Sequence, residues 1–590
     1  MFMVSFLRKP YLGLSSRKVL LGNSNRRSCV LKNFLIALIS VIIFVPTFAA
    51  HPQEVRGEHG AVASRSAIAS DVGVAIMKQG GNAIDAAVAT GFALAVTYPS
   101  AGNLGGGGFM VIHLADGKVV TLDFREVAPA AAHRDMYLDE QGNVIKGASS
   151  RTARAIGVPG SVDGLLEALE KYGTMTRQQI LAPAIALAKD GFELNHDLAS
   201  QFKGQMRFFK DHQATKELFS NGDEAYQAGD TWKQPDLATT LQLISDKGRD
   251  GFYKGKTADL LVAEMSRIDG LITAADLAGY KSKWREPVRG EYRGHTIWSM
   301  PPPSSGGVLL IQMLNMLEPY SINEFGWGSA KTVHLMIEAQ RRAYADRALW
   351  LGDPDFFDVP VAKLISKNYA SQRFSDVDPQ KAGNSSAIDA GQWPEESMET
   401  THYSTVDAAG NAVACTTTLN WGYGLKKIVT GAGFLLNNEM DDFSAKANVQ
   451  NSYKLLGGKA NEVQPGKRML SSMTPTIVTR DGKVLLVTGS PGGSTIINTV
   501  FHVVLNVIDH QMSLSDAVGN PRFHHQWMPD LVRFEQFGLS PDTISLLKLK
   551  GHENLQEMTW RMGDANSIMV KDKMIFAMSD PRNVGGASAW

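Results

Sequence analysis

Apolar residues change their period along the chain, and the changes mark the elements. Between residues 70 and 98 they recur at helical spacing in two blocks. Ser70 reads as the N-cap of the first, Gly80 and Gly81 stop it, and Asn82 with Asp85 caps the second. The second block is nearly all apolar (Ala86, Val88, Phe92, Leu94, Val96), which predicts burial on several sides. Three other stretches read as apolar strand, turn, apolar strand, reversing near Asp116-Gly117, Gly410-Asn411 and Asp481-Gly482. Together they predict an antiparallel sheet assembled from both ends of the chain. Residues 161 to 290 are instead rich in helix formers and charge and predict a helical lobe, with further helices from Ala330 to Leu351 and from Ser494 to His510. With helices and antiparallel strands both well represented, the class is α/β or α+β with layered packing.

Composition narrows the function classes. The 590 residues carry 59 Lys+Arg against 59 Asp+Glu and are 44% hydrophobic and 20% charged, a globular mix without a basic footprint for nucleic acid. The balance hides an asymmetry, because residues 1 to 50 contain seven Lys or Arg and no acid. Arg26, Arg27 and Lys32 precede an apolar run from Phe34 to Phe48, broken by Pro46 and followed by Ala49, Ala50 and His51. This reads as a secretory signal cleaved near Ala50, the run falling short of the roughly 20 residues of a spanning helix; a retained anchor is the alternative. Of the two cysteines, Cys29 leaves with the signal and Cys415 stays in a strand-like stretch, so the exported chain is expected to fold without a disulfide and to bury that thiol. His, Cys and acidic residues show no metal-ligand spacing, and neither a metal nor a cofactor is expected. Gly251 to Thr257 has Asp250 where a phosphate loop needs its first glycine. Gly105 to Gly108 lacks the spacing of a dinucleotide fingerprint and reads as a tight turn, while His524 and His525 read as packing or surface residues.

Residues 376 to 399 are polar, contain Pro379 and Pro394, and predict a flexible, protease-accessible loop. Directly after it come Glu399, Thr400, Thr401, His402, Tyr403 and Ser404, a turn around Ala409, and then Ala412 to Asn420. A hairpin symmetric about residue 409 sets Thr418 opposite Thr400, with Asn420 on the same face as Thr418. If the chain is cut before Thr400, one residue holds both a hydroxyl and an α-amine whose pKa of about 7.7 to 8.0 lets it take the hydroxyl proton at neutral pH. By composition alone, a Thr-Thr pair in a strand is usually plain β-branched packing. The role of His402 stays open.

The stretch Glu399 to Asn420, together with Leu435 to Ser444, Leu470 to Thr476, Gly489 to Ser494, Gly102 to Gly108 and Asp123 to Glu126, resembles the γ-glutamyltranspeptidase family over nearly all of residues 57 to 582. The resemblance implies an N-terminal nucleophile hydrolase of class α+β, a four-layer αββα sandwich with the helical lobe in its large subunit. It implies a precursor cut between Glu399 and Thr400 into a heterodimer of residues 51 to 399 and 400 to 590, behind the signal at 1 to 50. It further implies that Thr400 attacks the γ-glutamyl carbonyl of glutathione or a related donor and passes the acyl group to water, an amino acid or a dipeptide. Carried over position by position, Thr418 orients the nucleophile and Gly492 and Gly493 supply oxyanion donors, which a helix-opening turn also explains. Arg125, Ser471 and Ser472 hold the donor's α-carboxylate, although Arg125 also suits a surface ion pair with Glu126. Asn420, Glu439 and Asp442 hold its α-ammonium, or are solvated loop groups, Glu439 standing where some relatives carry Gln. Tyr453, within residues 447 to 458, corresponds to a substrate-covering lid. Two rival readings remain: a cephalosporin or glutaryl acylase on the same scaffold, and an uncut binding protein. The expected location is periplasmic or secreted.

Overall fold

Two seven-stranded antiparallel sheets stack face to face. One runs in the order Gly586–Ala589, Gly60–Ser64, Thr401–Asp407, Ala412–Thr418, Gly107–His113, Val119–Asp123 and Lys283–Arg285. The other runs Val55–Gly57, Met574–Met578, Ser567–Lys571, Lys483–Thr488, Thr476–Arg480, His295–Ser299 and Val288–Tyr292. The computed structural model describes residues 54–388, 400–444 and 458–590. The signal-like segment, Glu399 and Tyr453 lie outside the described residues. The three expected hairpins all form, but the third belongs to the second sheet, so the single sheet read from the sequence is two.

Strand alternation explains the layering. Ala412 and Ala414 point between the sheets with Ala61, Ala63 and Val111, and meet Ile477, Val484, Val487 and Ile568 of the facing sheet. Val413 and Cys415, one step out of phase, point outward with Tyr403, Met110 and Ile112 into a core shared with the helix Ala83–Thr97. On the opposite outer face, Val478, Leu486 and Met569 pack with the helices Gly306–Leu317, Ala330–Trp350 and Thr495–Ile508. The result is the expected α+β arrangement, a four-layer αββα sandwich. Cys415 is fully buried, and burial pushes its thiol up to about 12.

The first helix runs Ala67–Lys78 with Ser66, not Ser70, as its N-cap. Ser66 has the extended backbone a cap requires and accepts from the Ala69 amide, while Ser70 lies inside the helix and donates to the Gly586 carbonyl at 2.7 Å. The second helix starts behind Asn82 with the predicted Asp85 capping box, and all of its residues are buried. Residues 161 to 290 are mainly helical from Ser161–Tyr172 through Ala274–Gly279, interrupted by two-residue strands such as Phe192–Glu193 and Thr231–Trp232, and the expected lobe ends in strands Lys283–Arg285 and Val288–Tyr292 that enter the two sheets. Pro52–Trp590 is one compact unit, so the helical region is no separate domain. Its own aromatic core (Phe202, Phe209, Phe219, Trp232) packs on Leu419, Tyr423 and Leu435, which follow the Thr418 strand.

The first part of the predicted loop at 376 to 399 is not loose. Ser385 is buried; its amide donates to Asp530 at 3.2 Å, its carbonyl accepts from the Trp527 indole at 2.8 Å, and Arg341 donates to its hydroxyl. Residues 389 to 399 are outside the described set. Among the described residues no helix is long and apolar enough to cross a membrane.

Candidate active site

The site grows from the hairpin Thr401–Asp407 and Ala412–Thr418. Its register pairs Thr401 with Thr417 and Val406 with Ala412, and one step further brings Thr400 opposite Thr418, as the symmetric reading requires. Residues 400, 402, 404 and 406 share the face turned toward the other sheet. The row therefore passes from the apolar pair Val406 and Ala412 to polar groups at its end. Thr400 is 8% exposed there, and its Oγ1 donates to Thr418 Oγ1 at a long 3.4 Å. Thr418 Oγ1 also accepts the Asn420 amide at 2.8 Å. Asn103 braces the end of the strand, donating to the Thr418 carbonyl at 2.9 Å and to Thr417 Oγ1 at 3.1 Å. Gly106 lets this happen: a Cβ there would stand 2.1 Å from the Thr418 carbonyl oxygen.

His402 faces inward behind Thr400 and is closed into a network. Ser404 Oγ donates to the Asn566 carbonyl at 2.8 Å, so it accepts the His402 Nε2 proton at 3.1 Å, leaving Nδ1 to accept from Thr416 Oγ1 at 2.8 Å. Burial lowers its imidazole to about 3, and it stays neutral. A neutral, fully bonded imidazole is suited to holding the strand rather than to shuttling protons.

Arg125 is fully buried and is no surface ion pair. It donates to Glu439 and Asp442, its Nε donates to the Met469 carbonyl at 3.2 Å, and Glu126 stands 3.7 Å away. Arg125, read from the sequence as part of a carboxylate subsite, is thus bonded to Glu439 and Asp442, read as part of an ammonium subsite. Burial pushes Glu126 up to about 7 and Glu439 well above the usual carboxylate range, against the opposing pull of Arg125.

Ser471 and Ser472 lie on the same cavity wall. The cavity is lined by Arg125, Arg347, Thr400, Thr418, Asn420, Glu439, Asp442, Ser471, Ser472, Met473, Gly493 and Ile496. Asn420 reaches it by a left-handed turn (φ 74°) and not by strand alternation, since the strand ends at Thr418; its side-chain Nδ2 donates to the Asn438 carbonyl at 2.8 Å. Gly492 and Gly493 have φ of 129° and 56°, backbone that favours glycine, between the strand Lys483–Thr488 and the helix Thr495–Ile508. Gly493 reaches the wall; Gly492 lies one residue behind, its carbonyl accepting the Thr495 amide at 3.0 Å.

Arg347, Met473 and Ile496 were not singled out from sequence. Arg347 sits on the helix Ala330–Trp350, where spacing reveals only a long helix. The structure also gathers His334, Glu338 and His552 within 4.8 Å of one another, which spacing along the chain did not suggest. Their groups are already partnered: His334 Nδ1 meets His552 Nε2 at 2.8 Å, and Glu338 accepts from Arg342 at 2.6 Å and from the Gly383 amide at 3.0 Å. His524 and His525 are buried, packing residues rather than surface ones.

The comparisons agree with this geometry. The family model described as Gamma-glutamyltranspeptidase matches residues 69–590. A glutathione hydrolase proenzyme of Pseudomonas sp. (strain A14) is 52% identical over 523 residues, covering 88% of this chain and 91% of that protein. The glutathione hydrolase proenzyme of Escherichia coli (strain K12) is 50% identical over 543 residues, covering 91% and 93%. Among solved structures, a cephalosporin acylase from Bacillus halodurans superposes with a TM-score of 0.81 at 26% identity, covering 93% of this chain and 99% of that one. A match of this extent and identity, on a chain with these sheets and this cavity, places the protein in the γ-glutamyltranspeptidase family.

Proposed function

We propose that the chain is a self-processing γ-glutamyltransferase and glutathione hydrolase using Thr400 as its nucleophile. The observation that carries the reading is that Thr400, Arg125, Glu439, Asp442, Ser471 and Ser472 line one cavity. A hydroxyl, a carboxylate-binding cation with two serines, and a cluster of acids match the reacting carbonyl, α-carboxylate and α-ammonium of a γ-glutamyl donor.

In the first reaction Thr400 Oγ attacks the Glu399 carbonyl, the acyl group moves from nitrogen to oxygen, and water hydrolyses the ester. This leaves a carboxylate on Glu399 and a free amine on Thr400. In turnover the amine takes the hydroxyl proton while Oγ adds to the γ-glutamyl carbonyl. The oxyanion lies toward the Gly492 and Gly493 turn, where backbone amides near a helix N-terminus suit negative charge. The C–N bond breaks, the departing cysteinylglycine amine takes the proton from the ammonium, and the acyl-enzyme remains. Water or the amine of an amino acid or dipeptide then attacks, and Thr400 Oγ recovers its proton on leaving. Tyr453, outside the described residues, is assigned to the covering segment that slows hydrolysis.

The subunits are residues 51 to 399 and 400 to 590, exported behind the segment 1 to 50 to the periplasm or the medium. The acylase reading has the Bacillus halodurans structure in its favour, but at 26% identity against 52% for the Pseudomonas relative. The buried acids suit an amine that a glutaryl side chain lacks, and faster turnover of glutaryl than of γ-glutamyl anilide would reverse this assignment. The decisive experiment is a denaturing gel with N-terminal sequencing: two fragments are expected, the smaller beginning at Thr400, with Thr400→Ala remaining one chain. Normal cutting of that variant would remove Thr400 as the nucleophile.

A further inference from the structure

Arg347 is 3% exposed and reaches the cavity wall from the helix Ala330–Trp350. Its Nη2 donates to Ser472 Oγ at 3.1 Å and its Nε to Ser305 Oγ at 2.9 Å. Ser305 is itself tied to the next residue of interest, its hydroxyl and its amide both donating to the Ser471 carbonyl, at 2.8 and 2.7 Å. A guanidinium has N–H donors and no acceptor. Each serine it touches must therefore spend an oxygen lone pair on Arg347 and send its own proton elsewhere. Ser305 sends it to Ser471. Ser472 has no other hydroxyl contact among the described residues, so its O–H is left to donate to an acceptor in the cavity. Ser471 Oγ likewise accepts, from the Met473 amide at 3.2 Å, which leaves its proton free in the same sense.

We infer that Arg347 is a positioning residue for donor specificity: by bridging Ser305 and Ser472 it turns the serine pair into fixed hydrogen-bond donors for a carboxylate α to the substrate amine. This rests on the γ-glutamyl reading above. Burial raises the Asp442 carboxyl, which faces the same cavity, and the Arg347 charge adds to the stronger pull of Arg125 against that rise.

The test compares γ-glutamyl anilide with 4-aminobutyryl anilide, which keeps the amine and lacks the carboxylate. Arg347→Gln is expected to raise KM for γ-glutamyl anilide by roughly tenfold or more, the size of one lost charge-assisted hydrogen bond. Its kcat should stay within about threefold, and the weak kcat/KM for the aminobutyryl compound should not change, because the lost interaction is specific to the carboxylate. Ser472→Ala should give the same pattern, and the double variant should be little worse than either single one. Equal losses on both anilides, or additive losses in the double variant, would overturn the inference. Arg347→Lys keeps the charge but offers a single nitrogen where Nε and Nη2 of Arg347 reach the two serines separately, so it should raise KM in the same direction; a native KM there would overturn the need for the two-nitrogen bridge. A native enzyme that ignores γ-glutamyl anilide altogether would instead defeat the functional reading and leave the hydrogen-bond pattern untouched.

Discussion

Thr418 Oγ1 accepts from both Thr400 and the Asn420 amide, so a single substitution tests two bonds. Thr418→Val removes the acceptor while keeping the β-branched shape, and should cost about 1 to 2 kcal/mol in the barrier, read as a roughly tenfold fall in kcat. Unchanged turnover would show that the nucleophile needs no such partner. Arg125 behaves differently, because it is the internal counter-ion of Glu439 and Asp442. Arg125→Gln leaves buried acids unpaired and is expected to lower stability by about 3 to 5 kcal/mol, visible in the denaturant midpoint before any effect on affinity is measured. Ser471→Ala is the milder probe of carboxylate binding: it also deprives the Met473 amide of its acceptor, so a rise in KM worth about 1 kcal/mol with a midpoint shift smaller than that of Arg125→Gln is expected, and a native KM would count against the assignment.

The strand Ala412–Thr418 sits between Thr401–Asp407 and Gly107–His113, and its position depends on close backbone approach. Gly106→Ala would push a methyl group into the Thr418 carbonyl and to within 2.6 Å of Asn103 Oδ1. Overpacking of this kind costs about 1 to 3 kcal/mol, and here it should also displace Thr418, so stability and kcat should fall together. Retained kcat with lowered stability would mean that the strand end can shift without moving the site. The hairpin around residue 409 was legible because its polar turn is flanked by matched apolar runs. The irregularity between Val478 and Thr479 was not, since an extra residue that turns Val484 and Val487 to one face leaves no mark in composition.

Five histidines, His402, His502, His524, His525 and His552, are buried, and burial lowers their imidazoles to about 3 or 4. In the unfolded chain they titrate near 6.5, so below that value the unfolded state binds protons that the native state refuses. Their contribution is present above pH 6.5 and is lost as pH falls toward 4, at up to about 1.4 kcal/mol per pH unit for each. Urea midpoints measured between pH 7.5 and 4.5 should fall steeply below 6.5, and a flat profile would contradict five buried neutral rings.

Local chemistry was readable from the chain alone wherever neighbours in sequence set the geometry. The capping box at Asn82 and Asp85, the hairpin register that pairs Thr400 with Thr418, and the glycine turn before Thr495 all follow from short-range rules of backbone and alternation. The motifs around them carried the family resemblance for the same reason, being contiguous. What required the folded molecule was everything joined across long separations. Arg125 and Glu439 are 314 positions apart, and Arg347 and Ser472 are 125 apart; no periodicity encodes such pairings. Burial is the other quantity settled only in three dimensions. Arg125 beside Glu126 looks like a surface pair on paper, and only four stacked layers decide that it lies out of water, where a charge must find its partner inside the protein.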